Sequence, residues 1–398
     1  MNMKNPINPM NMKMKTQKKT GRAPAPCSEL AVVLVFLAFL FSGAVLYLLL
    51  PKQSFSETEK RYLASLPEAT PEAILSGETA AGIEEYLSDH LPARNFFVGL
   101  NSYFQLATGR NGSGGVYLGK DCWLIEKPFD RENRLEVNVG RIVDFARTAG
   151  IPATLTAVPE KGFIYGDKLP SSALEYEDAE YFSALSDLCG EDVTFVDLSA
   201  PMLQAAKAGA QLFYRTDHHW TSAGAYLGYT ELCRALGADA APESDFDVET
   251  VGDFYGSSYS SSLYTLTPPD SLELWRSRVT GGKAEVIVED GGKTTERDGL
   301  FFEEALDGFD KYTVFLGGNH PLVTVRTGKE GGRLLVIKDS FAHCLVPFLA
   351  ENYSEIVLVD LRYYKKPVSE LIGAGGFDQL LFVYGIENLA ESRDIIFR

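Results

Sequence analysis

Five histidines are spread over 398 residues, and two stand side by side in Tyr214-Arg215-Thr216-Asp217-His218-His219-Trp220-Thr221. An imidazole beside a carboxylate can act as a general base, because the carboxylate fixes the tautomer and orients the ring. A second segment, Ile337-Lys338-Asp339-Ser340-Phe341-Ala342, runs from an apolar stretch into a serine and then into a helical pattern. A serine at a strand-to-helix turn sits at the carboxyl edge of a sheet, where open α/β folds gather their ligands. The helix start adds free N–H groups suited to an oxyanion. Serine alone is a weak nucleophile and needs a base. Asp217, a neighbouring histidine and Ser340 would together supply Ser-His-Asp chemistry in the chain order Asp, His, Ser.

Each piece also has a plainer reading. Ser340 fits an ordinary N-cap, and Asp217-His218-His219 fits a structural hydrogen-bond cluster or a metal site. Neighbouring histidines in an extended segment point to opposite sides, so one would serve the site while the other packs. Asp339 is a rival acid whose place in the turn favours a solvent-facing or capping role. His320 and His343 are rival bases; His343 follows Ser340 on the same helix, where a surface or packing role is commoner. His90 lies in an arm without evident chemistry. Lys161, just past a core strand, could meet an anionic group at the same edge. The Ser340 N–H, with Gly318 or Asn319 after the preceding strand, are candidate oxyanion donors. Trp220 and Tyr214 could form a stacking platform at the same rim, although aromatics at a sheet edge usually fill a core.

The elements that must position these residues alternate between strand and helix. Gly115–Leu118 and Cys122–Ile125 flank Gly119-Lys120-Asp121 as a hairpin. Helices are expected over Arg131–Ala149, Glu177–Cys189, Pro201–Ala208 and Ser222–Leu236. The uncharged run Ala153–Val158 and the apolar-rich runs Val193–Leu198, Tyr312–Leu316, Arg333–Ile337, Ile356–Val359 and Leu380–Tyr384 read as core strands. Such alternation implies an α/β fold, a three-layer arrangement around a parallel sheet. Residues 240–310 lack a clear pattern, and Ser257–Ser262 reads as a polar loop that could cover a site.

Ahead of this domain, Leu30–Leu50 carries no charge. At about 1.5 Å per residue, a helix of this length crosses the roughly 30 Å hydrocarbon layer. Lys4, Lys13, Lys15, Lys18, Lys19 and Arg22 precede it and favour the cytoplasmic side. The run exceeds the core of a usual signal peptide, and Pro51-Lys52-Gln53 lacks a small-x-small cleavage pattern. The expected organisation is a cytoplasmic tail (1–29), one transmembrane helix (30–50), a helical juxtamembrane arm (51–114) and an extracytoplasmic α/β domain (115–398). The net charge is −17 despite the basic tail. Such an acidic body argues against nucleic acid and against a strongly polyanionic substrate. Cys27 flanks the anchor, whereas Cys122, Cys189, Cys233 and Cys344 are widely spaced without a C-x-x-C pair, so no zinc cluster is supported. A Cys189–Cys233 disulfide and buried free thiols both remain open. No motif calls for a cofactor.

Asp217-His218-His219-Trp220 resembles the signature of the DHHW protein family. Flanking text agrees: Phe55-Ser56-Glu57 with Arg61, Gly119-Lys120-Asp121 before Trp123, Gly317-Gly318-Asn319-His320-Pro321, Lys338-Asp339-Ser340-Phe341 and Asp360-Leu361-Arg362-Tyr363. That family is similar to the alginate O-acetylation proteins, which have an SGNH-hydrolase-like fold and a D-x-H-W segment. The resemblance implies an acetyl-transfer triad of Asp217, His219 and Ser340, with His218 at the variable position. It departs at the serine, where K-D-S-F replaces a turn rich in small residues. It also implies a cell-surface glycan as acceptor and a multi-pass membrane acyltransferase as partner. The leading expectation is therefore extracytoplasmic O-acetyl transfer or ester hydrolysis on a cell-surface polysaccharide; rival readings are a non-catalytic glycan-binding or envelope-assembly protein and a metal site at His218 and His219.

Overall fold

The computed structural model describes residues 26–129 and 134–397. The basic tail and the expected helix start at Arg131 lie outside the described residues. The chain forms two compact units. One holds the stretch up to Gln53 and Leu66–Pro92; the other holds Ser54–Ser65 and Ala93–Arg398.

The first unit is helical. Its helix Pro26–Leu49 contains a 21-residue span, Glu29–Leu49, long and apolar enough to cross a membrane. Thr70 caps the next helix, Pro71–Ser76, by accepting the Ala73 N–H at 3.2 Å. Gly77 then starts Glu78–Asp89.

The second unit is built on one eight-stranded sheet. Its strands, in chain order, are β1 (Ala153–Val158), β2 (Thr194–Asp197), β3 (Glu285–Asp290), β4 (Lys293–Asp298), β5 (Leu322–Arg326), β6 (Gly332–Lys338), β7 (Tyr353–Val359) and β8 (Gln379–Gly385). Their spatial order is β4-β3-β5-β7-β6-β8-β1-β2. From β7 to β2 every pairing is parallel. β5, β3 and β4 extend that block antiparallel.

Period-two alternation divides the core into two layers. Leu334 and Val336 on β6, with Leu381 and Val383 on β8, face one cluster that also holds Tyr229 and Leu232 of the helix Ser222–Leu236. Leu335, Ile337, Leu380 and Phe382 face the other, against Val139 and Ile142 of Leu135–Ala149 and Leu185 of Asp178–Cys189. Burial on both faces is why these strands read as unbroken apolar runs. Each fully buried Leu or Val contributes about 1.5–3 kcal/mol.

Several expectations are corrected. Tyr312–Leu316 is no strand: Lys311–Val314 forms a 3₁₀ turn, and Leu316, Gly317 and Gly318 follow at φ of 62°, 75° and 103°. That left-handed run suits glycine and cannot continue a ladder. Residues 240–310 contain the antiparallel ribbon of Phe246–Phe254 with Asp270–Ser277, and β3 and β4. Ser257–Ser262 is a short helix. Cys122, Cys189, Cys233 and Cys344 are free thiols. Cys189 and Cys233 lie in the two different core layers, so the sheet separates them.

Candidate active site

Two turns meet at the carboxyl rim of the parallel block. The first, residues 214–219, is a tight loop closed by a bridge between Phe213 and Trp220 and by the Tyr214 N–H on the His219 carbonyl. Beneath it, Thr216 donates through both N and Oγ1 to Asp270 Oδ2, each at 2.7 Å. The second turn follows β6. Asp339, not Ser340, is its N-cap: Oδ1 accepts the Phe341 N–H at 2.9 Å. Asp339 Oδ2 accepts from Gly385 N and Asn388 Nδ2, so this carboxylate is buried rather than solvent-facing. Ser340–Leu345 is a 3₁₀ helix that passes into the one-turn α-helix Val346–Leu349, in place of the single α-helix expected. Two side chains tie the turns together. Trp220 Nε1 donates to the Phe341 carbonyl at 2.9 Å, and Tyr312 Oη donates to the Ser340 carbonyl at 3.2 Å.

This arrangement brings Asp217, His219 and Ser340 into one hydrogen-bonded chain. His219 Nδ1 lies 2.6 Å from Asp217 Oδ1, and its Nε2 lies 2.8 Å from Ser340 Oγ. Asp217 Oδ1 also accepts the His219 N–H at 2.8 Å, and Oδ2 accepts the Ser257 N–H at 2.7 Å. The last bond depends on Gly256, where a Cβ would fall 2.1 Å from Asp217 Cβ. Burial alone would raise the Asp217 pKa, but the His219 and His218 rings hold it well below the usual carboxylate range. Burial, with the nearby His218, pulls His219 down to about 4 against the opposing pull of Asp217. A neutral His219 whose Nδ1–H points at Asp217 presents its Nε2 lone pair to the serine hydroxyl. That is the proton acceptor a serine nucleophile needs.

The remaining candidates divide. Gly318, Asn319 and His218 line the same cavity of about 550 Å³ as Ser340 and His219. Asn319 Oδ1 is held by Arg362 Nη2 at 3.1 Å, and Arg362 is held by Asp360. His218 does not turn away from His219: their ring centroids are 3.8 Å apart, and its Nδ1 meets Ser257 Oγ. The loop is bent rather than extended, which removes the strand alternation. Lys161 reaches the same edge but is 3% exposed. Its ammonium is spent on the Asp217 carbonyl at 2.8 Å, Ser258 Oγ and Glu126, so it props the loop from below. Trp220 and Tyr214 are core residues. His320 pairs with Asp290, and His90 bonds within the first unit.

Asp217, His218 and His219 offer ligand atoms within 4.8 Å of one another. Both Asp217 oxygens and three of the imidazole nitrogens already serve hydrogen bonds. A metal ion there would have to displace several of them, so this donor set fits a proton relay better.

Sequence reasoning missed Tyr312, Gly256 and Asp270. Tyr312 lies flat on His219, with centroids 3.8 Å apart and planes 9° from parallel. Its apolar neighbours read as a strand in the sequence, and no spacing rule links it to position 219.

The fold is SGNH hydrolase-like. A family model described as the SGNH hydrolase-like domain of acetyltransferase AlgX matches residues 116–304. A probable alginate O-acetylase AlgJ from Pseudomonas syringae pv. tomato is 29% identical over 224 residues, covering 53% of this chain and 56% of that protein. The Pseudomonas fluorescens protein of the same name is 27% identical over 220 residues, covering 52% and 54%. The chain is thus related to the alginate O-acetylation proteins and matches about half the length of these curated relatives. Among solved structures, PatB1 of Bacillus cereus, seen with a sulfonyl adduct, superposes at a TM-score of 0.62 with 21% identity, covering 71% of this chain and 98% of that one. A DHHW family protein from Eubacterium siraeum also superposes at 0.62 with 21% identity, covering 71% and 94%. Both share the fold.

Proposed function

We propose that this chain is a serine-dependent O-acetyltransferase or esterase acting outside the cytoplasm on a cell-surface polysaccharide, tethered by its N-terminal apolar helix. The observation that carries the reading is the unbroken chain Asp217 Oδ1–His219–Ser340 Oγ, with bonds of 2.6 and 2.8 Å. Ser340 Oγ attacks the carbonyl carbon of an acetyl donor while His219 Nε2 takes its proton. The tetrahedral intermediate collapses, and the leaving group departs with the proton from His219. A glycan hydroxyl, or water, then attacks the acetyl-serine and gives its proton to His219. Collapse frees the acetylated product and returns the proton to Ser340 Oγ. The Ser340 N–H, at the first position of its turn, is a donor that a helix leaves unused, and it suits the oxyanion together with Gly318 or Asn319.

Relatives named for alginate O-acetylation support a glycan acceptor. An acetyl donor on the outer face would come through a multi-pass membrane acyltransferase. Labelling with a serine-directed fluorophosphonate tests the reading. It should modify the wild-type chain at Ser340 and be lost in Ser340→Ala; equal labelling of both would end it.

A further inference from the structure

His343 is a buried imidazole that the mechanism above leaves unused. It lies three residues after Ser340 within the same 3₁₀ segment, Ser340–Leu345. In a 3₁₀ helix the side chains at i and i+3 eclipse, which puts His343 and Ser340 on one face of the turn. Both residues line the cavity. The ring is 2% exposed.

The buried Lys338 defines its protonation. Lys338 Nζ lies 2.7 Å from His343 Nε2 and 3.3 Å from Asp360 Oδ2. Burial lowers the Lys338 pKa, and the paired Asp360 carboxylate opposes that shift and holds the proton on Nζ. An ammonium has only protons to offer, so Nε2 accepts and the imidazole proton sits on Nδ1. Burial, then the charge of Lys338, pushes the His343 pKa well below its ordinary value and excludes a second proton. Among the described residues no acceptor engages the Nδ1–H. His343 therefore cannot be the rival base it resembles in sequence: one nitrogen is occupied, and the other carries a proton.

We infer that His343 is a hydrogen-bond donor to the acyl group on Ser340, offering its Nδ1–H to the carbonyl oxygen as negative charge develops there. A neutral imidazole suits this role, because it stabilises the oxyanion without surrendering its proton. Lys338 and Asp360 act through His343 as positioning residues. The inference rests on the acyl-serine reading above.

The test uses the full chain and p-nitrophenyl acetate as acetyl donor. His343→Phe should lower kcat roughly 10²- to 10³-fold, the loss typical of one oxyanion donor. His343→Gln restores an N–H and should recover at least about tenfold of that loss. Turnover of His343→Phe within about threefold of wild type would overturn the inference. So would a folded His343→Gln no faster than His343→Phe, with folding checked by melting. Should neither variant fold, ¹⁵N-histidine spectra of the wild-type chain decide, an Nδ1–H tautomer at His343 supporting the assignment and an Nε2–H tautomer refuting it. Ser340→Ala keeps the two readings apart. If it retains turnover, the serine mechanism fails; if it is dead while His343→Phe is intact, only the His343 assignment fails.

Discussion

The turn that ends at Trp220 and the turn that begins at Lys338 each bring one buried histidine to the same cavity. Burial holds both rings neutral, yet they present opposite chemistry. His219 has a carboxylate on Nδ1, so its lone pair faces Ser340. His343 has an ammonium on Nε2, so its proton is the group left over. The partner, not the residue type or its pKa direction, sets whether a buried imidazole accepts or donates. The two aspartates of these turns differ in the same way. Asp217 is held low by its histidines, whereas burial raises Asp339, whose hydrogen-bond partners are neutral N–H donors.

Removing the acceptor should break this contrast most severely. His219→Ala is expected to lower acetyl-ester turnover roughly 10⁴-fold or more, measured as kcat with p-nitrophenyl acetate; a loss below about tenfold would remove His219 from the relay. Asp217→Asn should cost roughly 10³- to 10⁴-fold with the fold intact, because an amide no longer imposes the Nδ1–H tautomer. A parent-like rate would mean that the loop backbone alone fixes the ring.

The pH profile sharpens the comparison. Only neutral His219 can take the serine proton, and its pKa is about 4. The acid limb of kcat/KM should therefore fall near about 4, below the roughly 6.5 of an ordinary histidine. The same shift has a stability sign. The folded-state pKa lies below the unfolded one, so the unfolded chain binds more protons between them. The His219 contribution is complete above about pH 6.5 and declines toward about pH 4. A limb at the ordinary histidine value would contradict the burial argument.

Smaller effects should come from the scaffold. Gly256→Ala drives a methyl group into Asp217 and should cost about 1–3 kcal/mol through the displaced Ser257 N–H bond, read by urea unfolding together with reduced turnover. Trp220→Phe keeps most of the buried ring but leaves the Phe341 carbonyl without its indole donor. About 1 kcal/mol of stability should be lost, and a variant as stable as the parent would show that the clamp is dispensable.

Much of the fold was legible because parallel strands buried on both faces leave unmistakable apolar runs. β1, β6 and β8 read directly from Ala153–Val158, Arg333–Ile337 and Leu380–Tyr384. β4 did not, because Lys293–Asp298 is mostly exposed and polar and is a strand only through pairing with β3. Tyr312–Leu316 misled in the opposite sense: its apolar residues are buried by the core, but its backbone is a turn. Asp217, His219 and Ser340 could be named from residue types and from the resemblance. Tyr312, Gly256, Asp270 and Lys338 could not, since each acts through a contact with a distant segment.

By itself, the sequence determined the α/β alternation, the apolar N-terminal span, the carboxylate beside a histidine pair and the serine after a core strand. These follow from side-chain period and local chemistry, which adjacent residues carry. The resemblance already pointed to His219 rather than His218; only the tertiary structure decided that Lys161 is a prop, that His218 stays beside His219, and that His343 has its Nε2 occupied. Side-chain direction in a bent turn, and the partner each nitrogen finds, depend on chain segments up to 121 residues apart. No local period encodes them.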